Sequence, residues 1–162
     1  MADHAADASR ARPGGPGPAP ASRTAVVDEL GEDECLRLVS GGEVGRIAYR
    51  GRYGPSVLPV NYRLHERSIV FRTAASGALG EDLRTGIADA ELRVAFEVDE
   101  IDMAAREGWS VLIQGPAHHI DDPAERASAL RTGVQPWPGG KREHFIRITP
   151  VRITGRRIRH AG

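Results

Sequence analysis

The sequence contains a single cysteine, Cys35, among its 162 residues. One thiol excludes an internal disulfide and a zinc site built from several thiolates. The apolar residues around Cys35 are spaced to form one face of a helix. We therefore interpret Cys35 as a buried structural residue rather than a redox thiol.

The chain has no excess of charge, because its 22 basic residues match its 22 acidic residues. It lacks the basic surplus that attracts nucleic acid or an anionic membrane surface. No apolar run approaches the ~18 residues that a membrane-spanning helix needs. We expect a cytoplasmic protein with no nucleic-acid partner and no membrane partner.

Residues 1–24 lack the apolar centre of a signal peptide and are rich in Ala, Pro and Gly. This composition predicts a disordered tail. Residues 25–160 have the length of one domain with its own core.

Alternating apolar and polar residues are the main pattern of this domain, and they predict mostly strands. The clearest case runs from Leu92 to Asp99. Glu107–Ile120 predicts a long strand with a bulge at Gly115-Pro116. Shorter predicted strands lie at Val26-Val27, Val44–Tyr49, His144–Ile153 and Thr154–Ile158, and predicted helices at Gly31–Val39, Ala78–Arg84 and Ala124–Arg131, the last with Asp122 as N-cap.

A hairpin is predicted within Pro55–Ser76, with its turn at His65–Arg67. Pro59 lies inside the first strand and cannot donate to a ladder. It therefore indicates an edge position, a bulge, or a place where a ligand meets the backbone.

The second strand of the hairpin ends in Arg72 and Thr73, and Ser76 precedes a predicted helix. A guanidinium, two hydroxyls and free amide groups at a helix start are typical of a phosphate site. The alternative is structural, with Ser76 capping the helix and Arg72 pointing to solvent.

Several short motifs follow one another along the chain: Val60-Asn61-Tyr62, Phe71-Arg72-Thr73, Ser76, Phe96–Asp99 and Gly108–Val111. Their order resembles the pyridoxamine 5'-phosphate oxidase-like FMN-binding split-barrel family, in its actinobacterial-type branch. The resemblance covers residues 28 to 158. It implies a mainly β fold, a six-stranded antiparallel split β-barrel with short flanking helices, in a homodimer with FMN in a groove at the interface.

The same resemblance implies roles for individual residues. Arg72, Thr73 and Ser76 would hold the cofactor phosphate. Relatives carry a lysine or arginine two residues after the position of Ser76, where this chain has Ala78. The residues that would line the flavin ring are Pro59, Val60, Asn61 and Tyr62.

Two tryptophans are further candidates for the cofactor site. Trp109 is either a core or dimer-interface residue or a ring that packs beside the flavin, and in an interface groove it could be both. Trp137 lies between two prolines in the loop Gly133–Gly140. It either covers a ligand or fills an apolar gap.

No set of residues stands out as a catalytic centre or a metal site. Glu97 and Asp99 lie on one strand face, where acid–base chemistry competes with a polar exterior or a dimer contact. His118 and His119 are adjacent in a strand and so point to opposite faces, which disfavours a shared metal.

These observations favour a flavin-dependent oxidoreductase of unknown substrate, with FMN as the cofactor and FAD or a deazaflavin as alternatives. The alternative function is a non-catalytic module that binds a flavin, a deazaflavin or haem for storage, sensing or detoxification. A third possibility is a dimeric interaction unit that has lost its cofactor.

Overall fold

The computed structural model describes residues 24–74, 77–83 and 92–160. The tail expected at residues 1–24 lies outside them, apart from Thr24. Within them the predicted strands and helices are confirmed in order, and the strand predicted at His144–Ile153 ends earlier. The elements are β1 Ala25–Leu30, α1 Glu32–Ser40, β2 Val44–Gly51, β3 Gly54–His65, β4 Ser68–Thr73, α2 Ala78–Asp82, β5 Leu92–Asp102, β6 Glu107–His119, α3 Pro123–Arg131, β7 His144–Ile148 and β8 Arg152–His160.

The strands form one antiparallel sheet in the order β1-β8-β6-β5-β2-β3-β4-β7. β7 also pairs with β6, which closes the six strands from β6 to β7 into a barrel. β8 and β1 extend the sheet beyond β6. The predicted six-stranded antiparallel split barrel is therefore confirmed, with two additional strands.

The barrel core follows from the alternation that the sequence shows. Val94, Phe96 and Val98 of β5 point inward and are buried, while Ala95 and Glu97 between them are half-buried and Arg93 before them is exposed. Helix α1 packs against β8, β3 and β6, and its Cys35 is fully buried. Burial raises the pKa of the Cys35 thiol, as expected for a structural cysteine.

The hairpin between β3 and β4 has the predicted turn. His65 pairs with Ser68, which leaves Glu66 and Arg67 as the two turn residues. Both have positive φ angles, 47° and 65°, as two-residue turns of the primed type require.

The bulge predicted at Gly115-Pro116 is wrong in its position. β6 pairs with β5 without interruption through these residues. At the same point β6 changes its other partner from β8 to β7. Two residues of β6 lie between the last pair with β8 and the first with β7, opposite the three residues Thr149–Val151. The extra residue is therefore on the opposing segment, where Pro150 separates β7 from β8.

Helix α3 begins as the sequence predicts. The Asp122 carboxylate accepts a hydrogen bond from the Glu125 backbone N–H at 2.9 Å, and Pro123 occupies the first turn. Among the described residues, no helix has both the length and the apolar character needed to cross a membrane.

Candidate functional site

The first half of β3 has a partner on one side only. Residues 54–61 pair with β2, and pairing with β4 begins at Tyr62. Backbone groups of an antiparallel strand point alternately to its two sides. The Tyr62 N–H donates at 3.0 Å to the backbone carbonyl of Glu43, the residue just before β2, so Tyr62 points to the β2 side. The backbone groups at odd-numbered positions, those of Val57, Pro59 and Asn61, therefore point to the other side. No described strand pairs with that side, so Pro59 has an edge position, one of the three options that the sequence allowed.

Asn61 holds the loop that carries Trp137. The Trp137 backbone N–H donates to the Asn61 side-chain oxygen at 2.8 Å. The structure thus brings together two predicted site residues that are 76 positions apart in the chain. Trp137 is 72% exposed, so it does not fill an apolar gap in this chain.

Arg72 lies half-buried on the outer face of β4, and two contacts fix its guanidinium. Its Nε donates to the Arg142 carbonyl at 2.8 Å. Its Cζ lies 5.1 Å from the centre of the Phe145 ring, and the Arg126 guanidinium lies 5.3 Å from the same centre. The structural alternative required Arg72 to point into solvent. These contacts show that its side chain does not extend freely into solvent.

Thr73 points to the opposite face from Arg72, because successive strand residues alternate. Its side chain is buried next to α2, and its hydroxyl donates to the Ala74 carbonyl at 3.5 Å. The N-cap of α2 is Gly77, not Ser76, and α2 has five residues, too few for a strong helix dipole. Ser76 itself lies outside the described residues.

Tyr62 belongs to the core. Its side chain is fully buried, and its ring lies at 74° to the Phe96 ring, with 5.1 Å between centres. Its hydroxyl donates to the Val39 carbonyl at 2.6 Å. The inward side of β3 also carries Val60, which packs against the core. The expectation that the side chains of Tyr62 and Val60 line a ligand is therefore corrected: both side chains lie on the core side, and the backbone groups of both residues point to β2.

The buried Tyr62 hydroxyl predicts a specific pH dependence of stability. Burial raises the pKa of Tyr62 from 10.0 to about 12, because the phenolate would lose its hydration. The hydroxyl titrates first in the unfolded chain, so its stabilising contribution is complete below pH 10 and is lost as pH rises to about 12. Tyr62→Phe should cost about 0.5–1.5 kcal/mol at neutral pH by removing this hydrogen bond, since the Val39 carbonyl keeps the bond from the Gly42 N–H at 3.2 Å.

Urea denaturation of Tyr62→Phe and the parent chain tests this. The parent should lose more stability than the variant over the alkaline range. Tyr53→Phe is the matched control, since Tyr53 is 96% exposed, and it should behave as the parent does. Equal alkaline losses in the parent and Tyr62→Phe would contradict the assignment.

Comparisons with known proteins agree with the fold described above. A sequence profile described as pyridoxamine 5'-phosphate oxidase matches residues 31–157. The chain belongs to the pyridoxamine 5'-phosphate oxidase family. The resemblance seen in the sequence motifs is thereby confirmed.

The relatives include a protein similar over nearly its whole length. The uncharacterized protein Rv0080 of Mycobacterium tuberculosis is 33% identical over 146 residues, which cover 90% of this chain and 94% of that protein. Among solved structures, an FAD binding protein from Mycobacterium smegmatis has a TM-score of 0.67 and 32% identity, covering 82% of this chain and all of that one. An FAD-binding protein from Mesorhizobium loti, with TM-score 0.62 and 24% identity over 83% of this chain and 98% of that one, supports the fold alone.

In this member of the family, Trp109 lies away from the other candidates. It is half-buried on β6, between Glu100 of β5 and Arg157 of β8. No hydrogen bond or ring contact among the described residues joins it to Asn61 or Arg72. It borders a cleft of about 730 Å³ whose exposed apolar residues are Val27, Ile101, Met103 and Ile158.

Glu97 and Asp99 form an ion-pair cluster on the barrel exterior. One nitrogen of Arg46 lies 3.1 Å from each carboxylate. Burial, followed by repulsion from Asp99, raises the pKa of Glu97, while Arg46 opposes the shift. Both carboxylates have a structural partner, which favours the polar-exterior interpretation over acid–base catalysis.

His118 has a structural partner as well. Its Nε2 lies 3.4 Å from the Glu125 carboxylate of α3, and Arg147 binds the same carboxylate at 3.2 Å. Across the described ranges, no three His, Cys, Asp or Glu side chains are grouped as a metal site would need.

Sequence reasoning missed the residues that position Arg72. Phe145 and Arg142 lie about 70 positions further along the chain, and their role depends on the pairing of β4 with β7, in which Arg72 faces Phe145. The only available signal was the aromatic residue in the predicted strand His144–Ile153. An aromatic facing an arginine across a ladder is recognisable only once the register is known.

Proposed function

We propose that this chain is a flavin-binding oxidoreductase that acts as a homodimer, with FMN as its cofactor. The observation that carries the proposal is the family membership of residues 31–157. The name of the Mycobacterium smegmatis relative, an FAD binding protein, supports a flavin as the ligand. The described residues fit such a group in two places.

Arg72 fits the anionic end of the cofactor. Its guanidinium is held by the Phe145 ring and the Arg142 carbonyl, so little side-chain freedom remains to be lost on binding. A phosphate can accept two parallel hydrogen bonds from such a group. The family resemblance also implies Thr73 and Ser76 as phosphate residues, but the Thr73 side chain is buried on the opposite face of β4 from Arg72 and Ser76 lies outside the described residues.

The open side of β3 fits the flavin ring. A flavin presents alternating carbonyl and N–H groups along one edge, and the backbone of Val57, Pro59 and Asn61 offers both kinds of group without a described strand partner. Trp137, anchored by Asn61, supplies an exposed aromatic surface beside this backbone. These residues would orient the ring and shield one side of it from water.

The flavin supplies the redox chemistry when it is bound, so the chain itself needs only to bind, orient and shield. FMN ends at the phosphate that Arg72 would hold, whereas FAD continues to an adenylate. A deazaflavin shares the ring but differs in its tail. Affinity measured with each of the three separates these possibilities.

The homodimer rests on the exposed apolar surface around Trp109. Val27 of β1, Ile101 of β5 and Met103 of the turn between β5 and β6 are 58%, 60% and 82% exposed. Covering this surface with a second copy would remove apolar area from water. Trp109 would then lie at the interface, as one of its two interpretations states.

Absorbance spectroscopy of the purified full chain, before and after addition of FMN and removal of excess, tests the proposal. We expect flavin absorption bands to remain with the protein, and bleaching of those bands by an electron donor to show redox competence. Sedimentation analysis of the same sample should give twice the chain mass. A protein that retains none of FMN, FAD and a deazaflavin would contradict the proposed function.

A further inference from the structure

A cleft of about 810 Å³ opens on the outer face of β2, β5 and β6, beside the start of β3. This volume lies within the ~300–1,000 Å³ typical of small-molecule sites. We name it the arginine cleft. Its walls and floor are formed by Arg50, Arg93, Arg152, Ala48, Ala95 and Val57.

Three arginines surround the arginine cleft, and no acidic residue of the described chain lines it. Arg50 and Arg93 are both exposed. Pairing of β2 with β5 ends at Ala48 and Ala95. Arg50 lies two positions after Ala48, and Arg93 lies two positions before Ala95. The two like charges therefore face each other where the strands diverge.

The repulsion between Arg50 and Arg93 destabilises the sheet unless an anion lies between them. Like charges at facing positions of neighbouring strands destabilise a sheet. The carboxylate nearest along β5 cannot relieve them, because Glu97 is paired with Arg46 at 3.1 Å. The third arginine, Arg152, donates a hydrogen bond at 3.4 Å to the side-chain oxygen of Gln114, a neutral group that does not balance its charge.

The centre of the arginine cleft's floor is apolar. Ala48 pairs with Ala95, and Ala95 pairs with Gln114, so two adjacent methyl groups form its centre. Val57 and Val151 border this floor and are 61% and 66% exposed. A ligand that covers the floor would remove apolar surface from water.

We propose that the arginine cleft binds a small organic anion. Its carboxylate or phosphate lies between Arg50 and Arg93, and its apolar body lies on Ala48 and Ala95. The short floor and the cationic rim together select a planar or compact body with one anionic end.

The arginine cleft is separate from the position of Arg72. In the barrel order, β3 lies between β2, which carries Arg50, and β4, which carries Arg72. The Val57 side chain borders the cleft, whereas its backbone belongs to the open side of β3. Anion binding here does not depend on the proposed flavin, and its test uses the full chain without flavin.

The test is an NMR titration of the isotope-labelled full chain with benzoate, phenyl phosphate and neutral benzamide. We expect saturable shifts of the Ala48, Arg50 and Ala95 amides with at least one anion and much weaker ones with benzamide. The tighter anion identifies the preferred head group. Arg93→Gln should weaken binding about tenfold, the effect of removing one charge-assisted hydrogen bond.

Arg131→Gln is the control, because Arg131 is an exposed arginine of α3 that does not line the cleft. It should bind as tightly as the parent. Arg50→Gln provides a second variant should Arg93→Gln fold poorly. Absence of saturable shifts with both anions, equal affinity for benzamide, or unchanged affinity in both cleft variants would overturn the proposal.

Discussion

Replacing Arg72 with alanine should weaken FMN binding about 10- to 100-fold. This range corresponds to the loss of a hydrogen bond to a charged group, worth about 1.5–3 kcal/mol. The guanidinium is already positioned by Phe145 and by the Arg142 carbonyl. β4 carries no second cationic side chain that could bind the phosphate in its place. Fluorescence titration of FMN against the purified variant measures the effect.

Arg126→Ala is the matched control for this variant. Arg126 contacts the same Phe145 ring, at 5.3 Å against 5.1 Å for Arg72, but it is not among the predicted phosphate residues. Both variants lose a similar contact with an aromatic ring, so only a loss specific to Arg72→Ala reports on the cofactor. Equal FMN affinities in the two variants would remove Arg72 from the site.

The companion change Ala78→Lys should act in the opposite direction. Ala78 is the exposed first residue of α2, so a lysine fits there without displacing the core. It restores the cation that relatives carry two residues after the position of Ser76. Tighter FMN binding by Ala78→Lys supports a phosphate near α2, and unchanged binding places the phosphate elsewhere.

Gly115→Ala should destabilise the fold by about 3 kcal/mol, at the upper end of the effects of inserting atoms into a packed core. A Cβ at position 115 would lie 1.9 Å from the carbonyl oxygen of Thr149. Because that oxygen belongs to the backbone, no side-chain rotation can relieve the clash. The strain falls where β6 exchanges β8 for β7 and closes the barrel.

Urea denaturation of Gly115→Ala measures this loss, and Gly139→Ala provides the control. A Cβ at position 139 meets no atom within 4 Å, so its effect should stay within about 0.5 kcal/mol. Two variants of equal stability would mean that the strand change at Gly115 tolerates a side chain.

The local elements could be predicted from the sequence because their signals are local. The alternation of Leu92–Asp99 defines which side of β5 is buried. The Asp122-Pro123 pair defines the start of α3. The motifs around Arg72 also identified the family, since they follow one another along this chain in the order typical of that family.

The candidate site was predicted less completely, because it depends on contacts between distant parts of the chain. Tyr62 occurs in a family motif, yet the alternation of side chains along β3 places its side chain in the core. Thr73 and Arg72 are neighbours in sequence but point to opposite faces. The anchoring of Trp137 by Asn61 joins residues whose proximity no local pattern indicates.

The sequence by itself determined the strands, the helix starts, the hairpin turn and the family, because periodicity, capping residues and turn residues act over a few positions. Only the tertiary structure decided which strands pair, that β8 and β1 lie beyond the closed barrel, and that Arg72 rests on Phe145. It also decided that Arg50 and Arg93 face each other across the arginine cleft. The physical reason is that strand register, unlike alternation, is fixed by pairing between residues far apart in the chain.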